Sequence, residues 1–139
     1  MINHENGMMM FDSIIISPHM QLETFLDSIK QDDIISQHNS NYIDLFIKPQ
    51  KGGEHFFLLR LFFERKSEKL EYVQLVIQND DSIPSWTDWS EKKQLKKKKY
   101  NDLWLMKNMG HPPYNYIWGS LNSVYNEKEA SSYILIKYK

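Results

Sequence analysis

Catalysis and metal binding need particular side chains at particular spacings, and few such sets occur in this chain. The five histidines (His4, His19, His38, His55, His111) are scattered, with no pair at the spacing a metal site uses. The chain has no cysteine, which excludes disulfides, thiolate zinc sites and cysteine nucleophiles and accords with a reducing compartment. Two acid pairs, Asp32-Asp33 and Asp80-Asp81, fall in segments that read as loops. A magnesium site would need such acids to face a substrate phosphate at a strand end, whereas adjacent loop acids more commonly face solvent or cap a helix. No serine stands in a strand–turn–helix elbow, and Gly52-Gly53 with the isolated Gly7, Gly110 and Gly119 does not form a phosphate-cradling loop. Glu64, near the end of the most apolar stretch, is the best lone candidate for carboxylate acid–base chemistry. Its commoner role would be to reach water or pair with Arg65 or a lysine. The aromatic tail (Tyr114, Tyr116, Trp118, Tyr125, Tyr133, Tyr138) can line a pocket or form a tyrosine-rich face, although half-buried strand positions explain it as well. No enzyme activity, cofactor, metal or small-molecule substrate is expected.

The most distinctive segment is PSWTDWSEKKQLKKKKYNDLWLMK, residues 84–107, which places three of the four tryptophans around a lysine run. Ser85 and Asp88 compete as its helix caps, and Gly110 followed by Pro112-Pro113 stops the helix after Met109. At about 100° per residue, Trp89, Tyr100, Leu103 and Trp104 share one sector, with Met106 at its edge. That pattern predicts packing by residues 100–109, a solvated collar at 92–99, and tryptophans Trp86 and Trp89 clamping the first turn.

The elements that would carry this helix read as follows. A first strand spans Met10–Ile16, and Ser17-Pro18 starts a helix whose apolar stripe is Leu22, Phe25, Leu26 and Ile29. Residues 31–41 read as a polar connection. Three antiparallel strands follow at Tyr42–Lys48, His55–Arg65 and Leu70–Gln78, separated by turns at PQKGGE and KSEK. The middle strand is apolar on both faces at first and should be central. Two more strands, Tyr114–Val124 (broken near Gly119-Ser120) and Ser131–Tyr138, close the chain. The expectation is one α+β domain of order β-α-β-β-β-α-β-β: an antiparallel sheet with two main helices.

The 139 residues and their 41% hydrophobic content are globular values. No basic leader and no apolar window of about 18 residues is present, so neither a signal peptide nor a membrane span is expected. The net charge of -1 conceals a polarity: residues 1–85 hold thirteen acids and seven bases, and residues 86–139 hold five acids and ten bases. A local basic surface is expected rather than bulk attraction to nucleic acid.

The pattern Ser85-Trp86-x-x-Trp89, Leu95, a basic run, and Tyr100-Asn101-Asp102-x-Trp104-Leu105 is followed by Tyr116-x-Trp118-Gly119-Ser120, Val124-Tyr125 and Ser131-Ser132-Tyr133-Ile134-x-Ile136-x-Tyr138. Over about residues 84–139 this resembles the small bacterial immunity proteins of polymorphic-toxin and contact-dependent growth inhibition systems. The resemblance implies a compact cytoplasmic protein that neutralises one cognate toxin domain, frequently a nuclease, by binding it. For a basic toxin the expected contacts are Asp32, Asp33, Asp80 and Asp81; for an acidic one, Trp86, Lys96, Lys97 and Lys98. The alternative is a nucleic-acid-binding accessory protein using the lysines of 92–99 with Trp89 and Tyr100 as stacking platforms.

Overall fold

The computed structural model describes residues 1–85 and 89–139. The fold is α+β, built on a seven-stranded sheet in which every neighbouring pair is antiparallel. Its strands, in chain order after a small N-terminal pair, are β3 (Ile34–Asn39), β4 (Tyr42–Gly52), β5 (His55–Glu64), β6 (Leu70–Gln78), β7 (Tyr114–Tyr116), β8 (Gly119–Asn126) and β9 (Ser131–Tyr138). Across the sheet they lie in the order β3-β4-β5-β6-β9-β8-β7, so the C-terminal strand inserts beside β6. The expected meander is present as β4, β5 and β6. The β5 stretch is flanked on both sides, and its Phe57, Leu59, Leu61 and Phe63 are buried.

Alternation divides the sheet into two faces. One collects Leu45, Ile47, Phe57, Leu59, Leu61, Phe63, Val73, Leu75, Ile134 and Ile136, and both helices pack on it. Helix α1 (Leu22–Ser28) sets Phe25 against Phe63 at 6.0 Å between ring centroids. Helix α2 (Glu91–Met109) sets Trp104 edge-on to Phe57 at 5.9 Å. Each such fully buried large side chain contributes roughly 1.5–3 kcal/mol through removal from water. The opposite face carries Tyr42, Asp44, Phe46, Leu58, Arg60, Phe62, Tyr72, Gln74, Val76 and Tyr133.

Four expectations need correction. The single first strand is a hairpin: β1 (Met9–Met10) pairs with β2 (Ile15–Ile16), because the chain folds back at Asp12-Ser13, where Phe11 N–H reaches the Ile14 carbonyl. Ser17-Pro18 does not start α1. Met20 N–H donates to the Ser17 carbonyl and His19 has φ 56°, so proline sits at the second position of a turn, and the helix begins four residues later at Leu22. That start is fixed by the β5–β6 turn: Leu22 N–H donates to Glu68, and Leu70 N–H to Met20. The polar connection at 31–41 contains a 3-10 turn, Gln31–Asp33, and then the edge strand β3, whose mostly exposed residues carry no apolar alternation to betray it. Finally, β4 runs on to Gly52, because the register shift between Ile47 and Gln50 accommodates Pro49, which has no N–H to give to a ladder.

Helix α2 ends where expected, at Gly110 with φ 85°, but its cap is Ser90, whose side chain accepts from Lys93 N–H. The expected cap Ser85 is displaced five residues upstream. Asp88, the competing cap, and Trp86 lie outside the described residues.

Candidate functional site

Helix α2 presents two distinct faces, and neither is the one its large apolar residues suggest. The expected packed sector comprised Trp89, Tyr100, Leu103 and Trp104; Trp104 is buried as expected, yet Leu103 is 66% exposed and Tyr100 44%. The inward residues are Gln94, Lys97, Asn101, Trp104, Leu105 and Met109, so at 100° per residue the helix is turned by roughly 110° from the expected orientation. The C-terminal half does pack on the sheet. The N-terminal half instead brings amide and ammonium groups inward, and the sheet explains why.

The β6–β9 ladder stops at Leu75↔Ile134, although β6 continues to Gln78 and β9 already begins at Ser131. Strands β5 and β8 keep their partners in this region, through Phe56↔Gln78 and Asn126↔Ser131, so β6 and β9 fork. A fork strands backbone groups that need other partners. Gln94 supplies them: Ser132 N–H donates to its Oε1 at 3.0 Å, and the Ser132 hydroxyl donates to its carbonyl at 2.5 Å. Next to this clasp, Trp89 Nε1 donates to the Ala130 carbonyl at 2.8 Å, which ties the start of α2 to the β8–β9 turn. Trp89 is thus an anchor, as expected, held by one hydrogen bond while its ring stays partly exposed.

The fork encloses a cavity of about 740 Å³, within the range of ligand pockets. Its walls are largely apolar, from Phe46, Leu58, Val76, Trp89 and Tyr133. Arg60 forms one polar wall, its Nε and Nη2 both bonded to Asp44, with the guanidinium 5.4 Å over the Phe62 ring. Asp44 is only 6% exposed, and its hydrogen bond to Arg60 raises the arginine's basicity further. Lys97 forms the other, half-buried. Burial, together with the nearby Lys93, pushes its pKa below the usual lysine value.

The outward face of α2 lies opposite. Leu95, Leu103 and Met106, at 45%, 66% and 43% exposure, make a stripe about 16 Å long, with Lys92, Lys96, Lys99 and Lys107 within and beside it. At its C-terminal end the stripe meets a cleft of about 680 Å³ formed by Tyr100, Leu103 and Lys107 with Met1, Met10 and the β4–β5 turn.

The other sequence candidates do not assemble. Asp32 and Asp33 occupy the 3-10 turn before β3, and Asp80 and Asp81 follow β6. The two pairs lie toward the same end of the sheet but three strand positions apart, at least about 14 Å across the strands at the usual spacing, and they are further offset along them. Asp80 accepts from Ser82 N–H and hydroxyl, which lowers its pKa, so it braces its own loop. Of the lysine run, Lys98 is paired with Asp102 at 2.7 Å and Lys97 faces inward, leaving Lys99 outward and Lys96 exposed at the rim between the outward face and the end of β6. Glu64 accepts from Ser67 N–H at 2.5 Å within the β5–β6 turn, and that bond lowers its pKa. No group of three or more His, Asp or Glu side chains among the described residues has a geometry that would hold a metal. No helix among them is long and apolar enough to cross a membrane.

Sequence reasoning missed Gln94, Asn101 and the Asp44–Arg60 pair. The strand alternation did place Asp44 and Arg60 off the core faces of their strands, but only the register makes them cross-strand neighbours. No family model matches the chain, and no curated protein or solved structure matches it either.

Proposed function

We propose that this protein is a non-catalytic inhibitor that neutralises one partner protein by binding it, in the manner of the immunity proteins its C-terminal part resembles, and that it acts in the cytoplasm on a toxin domain. The observation that carries the reading is the outward face of α2: three large apolar side chains held in solvent on a rigid helix, interleaved with lysines. Apolar patches of this kind mark interaction sites, and a lysine surround selects an acidic partner and speeds encounter. A phosphate-binding cleft of a nuclease is itself basic, so this face suits an acidic surface beside such a cleft. The four aspartates, split between two turns at least about 14 Å apart, with Asp80 engaged in its own loop, support an interface less well.

The test is co-expression with the product of the adjacent gene. Stable co-purification and protection of cells from that product support the reading; absence of both sinks it. Binding of single-stranded DNA that weakens steeply with salt and disappears when Lys96 and Lys99 become glutamine would favour the nucleic-acid alternative instead.

A further inference from the structure

We infer that the fork between β6 and β9 is a binding site for a small amphipathic carboxylate, its head held at Lys97 and Asn101 and its apolar body lying in the larger cavity. Beside the cavity lies a recess of about 280 Å³ between the end of β6 and α2. Lys97 and Val76 line both spaces. The recess presents cationic donors with no anionic partner, beside the neutral Gln78, Asn79 and Tyr100. Lys96 and Lys97 border it and no carboxylate does. Lys97 has no ion-pair partner among the described residues, although burial already disfavours its charge. Asn101, one helical turn further on the same face, is 3% exposed, and its Nδ2 has no hydrogen-bond partner.

A buried amide donor and a half-buried ammonium, each lacking an acceptor, cost stability where they stand. One carboxylate would satisfy both. The charge balance of the larger cavity selects a monoanion. Its cations are Arg60, Lys97 and Lys128; Arg60 is held by Asp44, and Lys128 is followed in the same turn by Glu129, which leaves Lys97 uncompensated. The remaining walls, Phe46, Leu58, Val76, Trp89 and Tyr133, suit an alkyl or aromatic body.

The probes are octanoate and its neutral counterpart 1-octanol, titrated into the full chain by calorimetry and by tryptophan fluorescence, since Trp89 forms part of the wall. Hydrogen bonds to a charged group predict that octanoate binds about tenfold or more tighter than octanol. Lys97→Met keeps the apolar stem and removes the charge, so it should erase that preference while leaving octanol affinity unchanged. Asn101→Leu removes a donor that has no partner, so the protein should remain folded and bind octanoate more weakly. Equal affinity for the two probes, or a carboxylate preference that survives Lys97→Met, overturns the assignment.

Discussion

Replacing Gln94 by leucine isolates what its side chain does at the fork. In the intact sheet, Ser132 N–H would donate across to β6, but that ladder ends at Leu75↔Ile134 and the amide donates to Gln94 Oε1 instead. Ser132 is 2% exposed, so Gln94→Leu leaves a buried donor without an acceptor, a loss of about 1–3 kcal/mol. The neighbouring cavity can admit water to the freed amide, which places the expected loss in the lower part of that range, about 1–2 kcal/mol. An unfolding entropy of about 2.1 cal/mol/K per residue gives roughly 0.3 kcal/mol/K for a chain of this size, so Tm should fall by about 3–7 °C. Gln94→Glu retains an acceptor oxygen and should recover most of the loss. Ser132→Ala removes the separate hydroxyl bond to the Gln94 carbonyl, costing about 1 kcal/mol, and because the two residues are in direct contact its effect should couple to that of Gln94→Leu rather than add to it, as a double-mutant cycle will show. Calorimetry and amide exchange at Ser132 read the result. A Gln94→Leu protein as stable as the wild type, or a Gln94→Glu protein as unstable as Gln94→Leu, would refute the clasp.

Three further outcomes follow from other parts of the molecule. Arg60→Ala leaves Asp44 without its bidentate partner; as the arginine side chain is 40% exposed, the loss should be about 2–3 kcal/mol in denaturant melts, below the value for a fully buried pair, and lysine should restore only part of it. Gly119→Ala sets a Cβ 2.0 Å from the Lys137 carbonyl oxygen at φ 154°, inside the β8–β9 ladder, and should cost upwards of about 3 kcal/mol or prevent folding, as thermal denaturation will show. Lys97→Met should raise stability at pH 7. The folded-state pKa of Lys97 lies below its unfolded value of 10.5, so between the two the unfolded chain binds more protons and wild-type stability rises with pH. The advantage of methionine should therefore shrink as pH climbs through that window, as urea melts at a series of pH values will show.

The meander and the tail hairpin were readable because apolar alternation and glycine-bearing turns are local signals, as at His55–Glu64 and at Gly119. The stop of α2 was readable for the same reason. Strand β3 was not, since an edge strand need bury little and its sequence, IISQHN, carries almost no pattern. The start of α1 was misplaced because Ser17-Pro18 suits a turn as well as a helix cap, and a tertiary pairing with Glu68 to Leu70 decides between them. The rotation of α2 could not be read at all. A helical wheel assumes that the largest apolar residues go inward, whereas here a fork in the sheet demands hydrogen bonds and draws Gln94 in, and Asn101 on the same face turns inward with it, leaving Leu103 and Met106 outside. The lysine run was legible as unusual, but its division into an inward Lys97, a paired Lys98, a Lys96 exposed at the rim and an outward Lys99 depends on that rotation.

The most direct test of the central claim is the affinity of the protein for the product of the adjacent gene, the toxin that the proposal calls for, compared with that of the double variant Leu103→Asp, Met106→Asp. Both side chains are exposed, so the variant should melt within about 0.5 kcal/mol of the wild type. Binding through the outward face of α2 predicts at least about 30-fold weaker affinity for the variant. Unchanged affinity in a folded variant would contradict it.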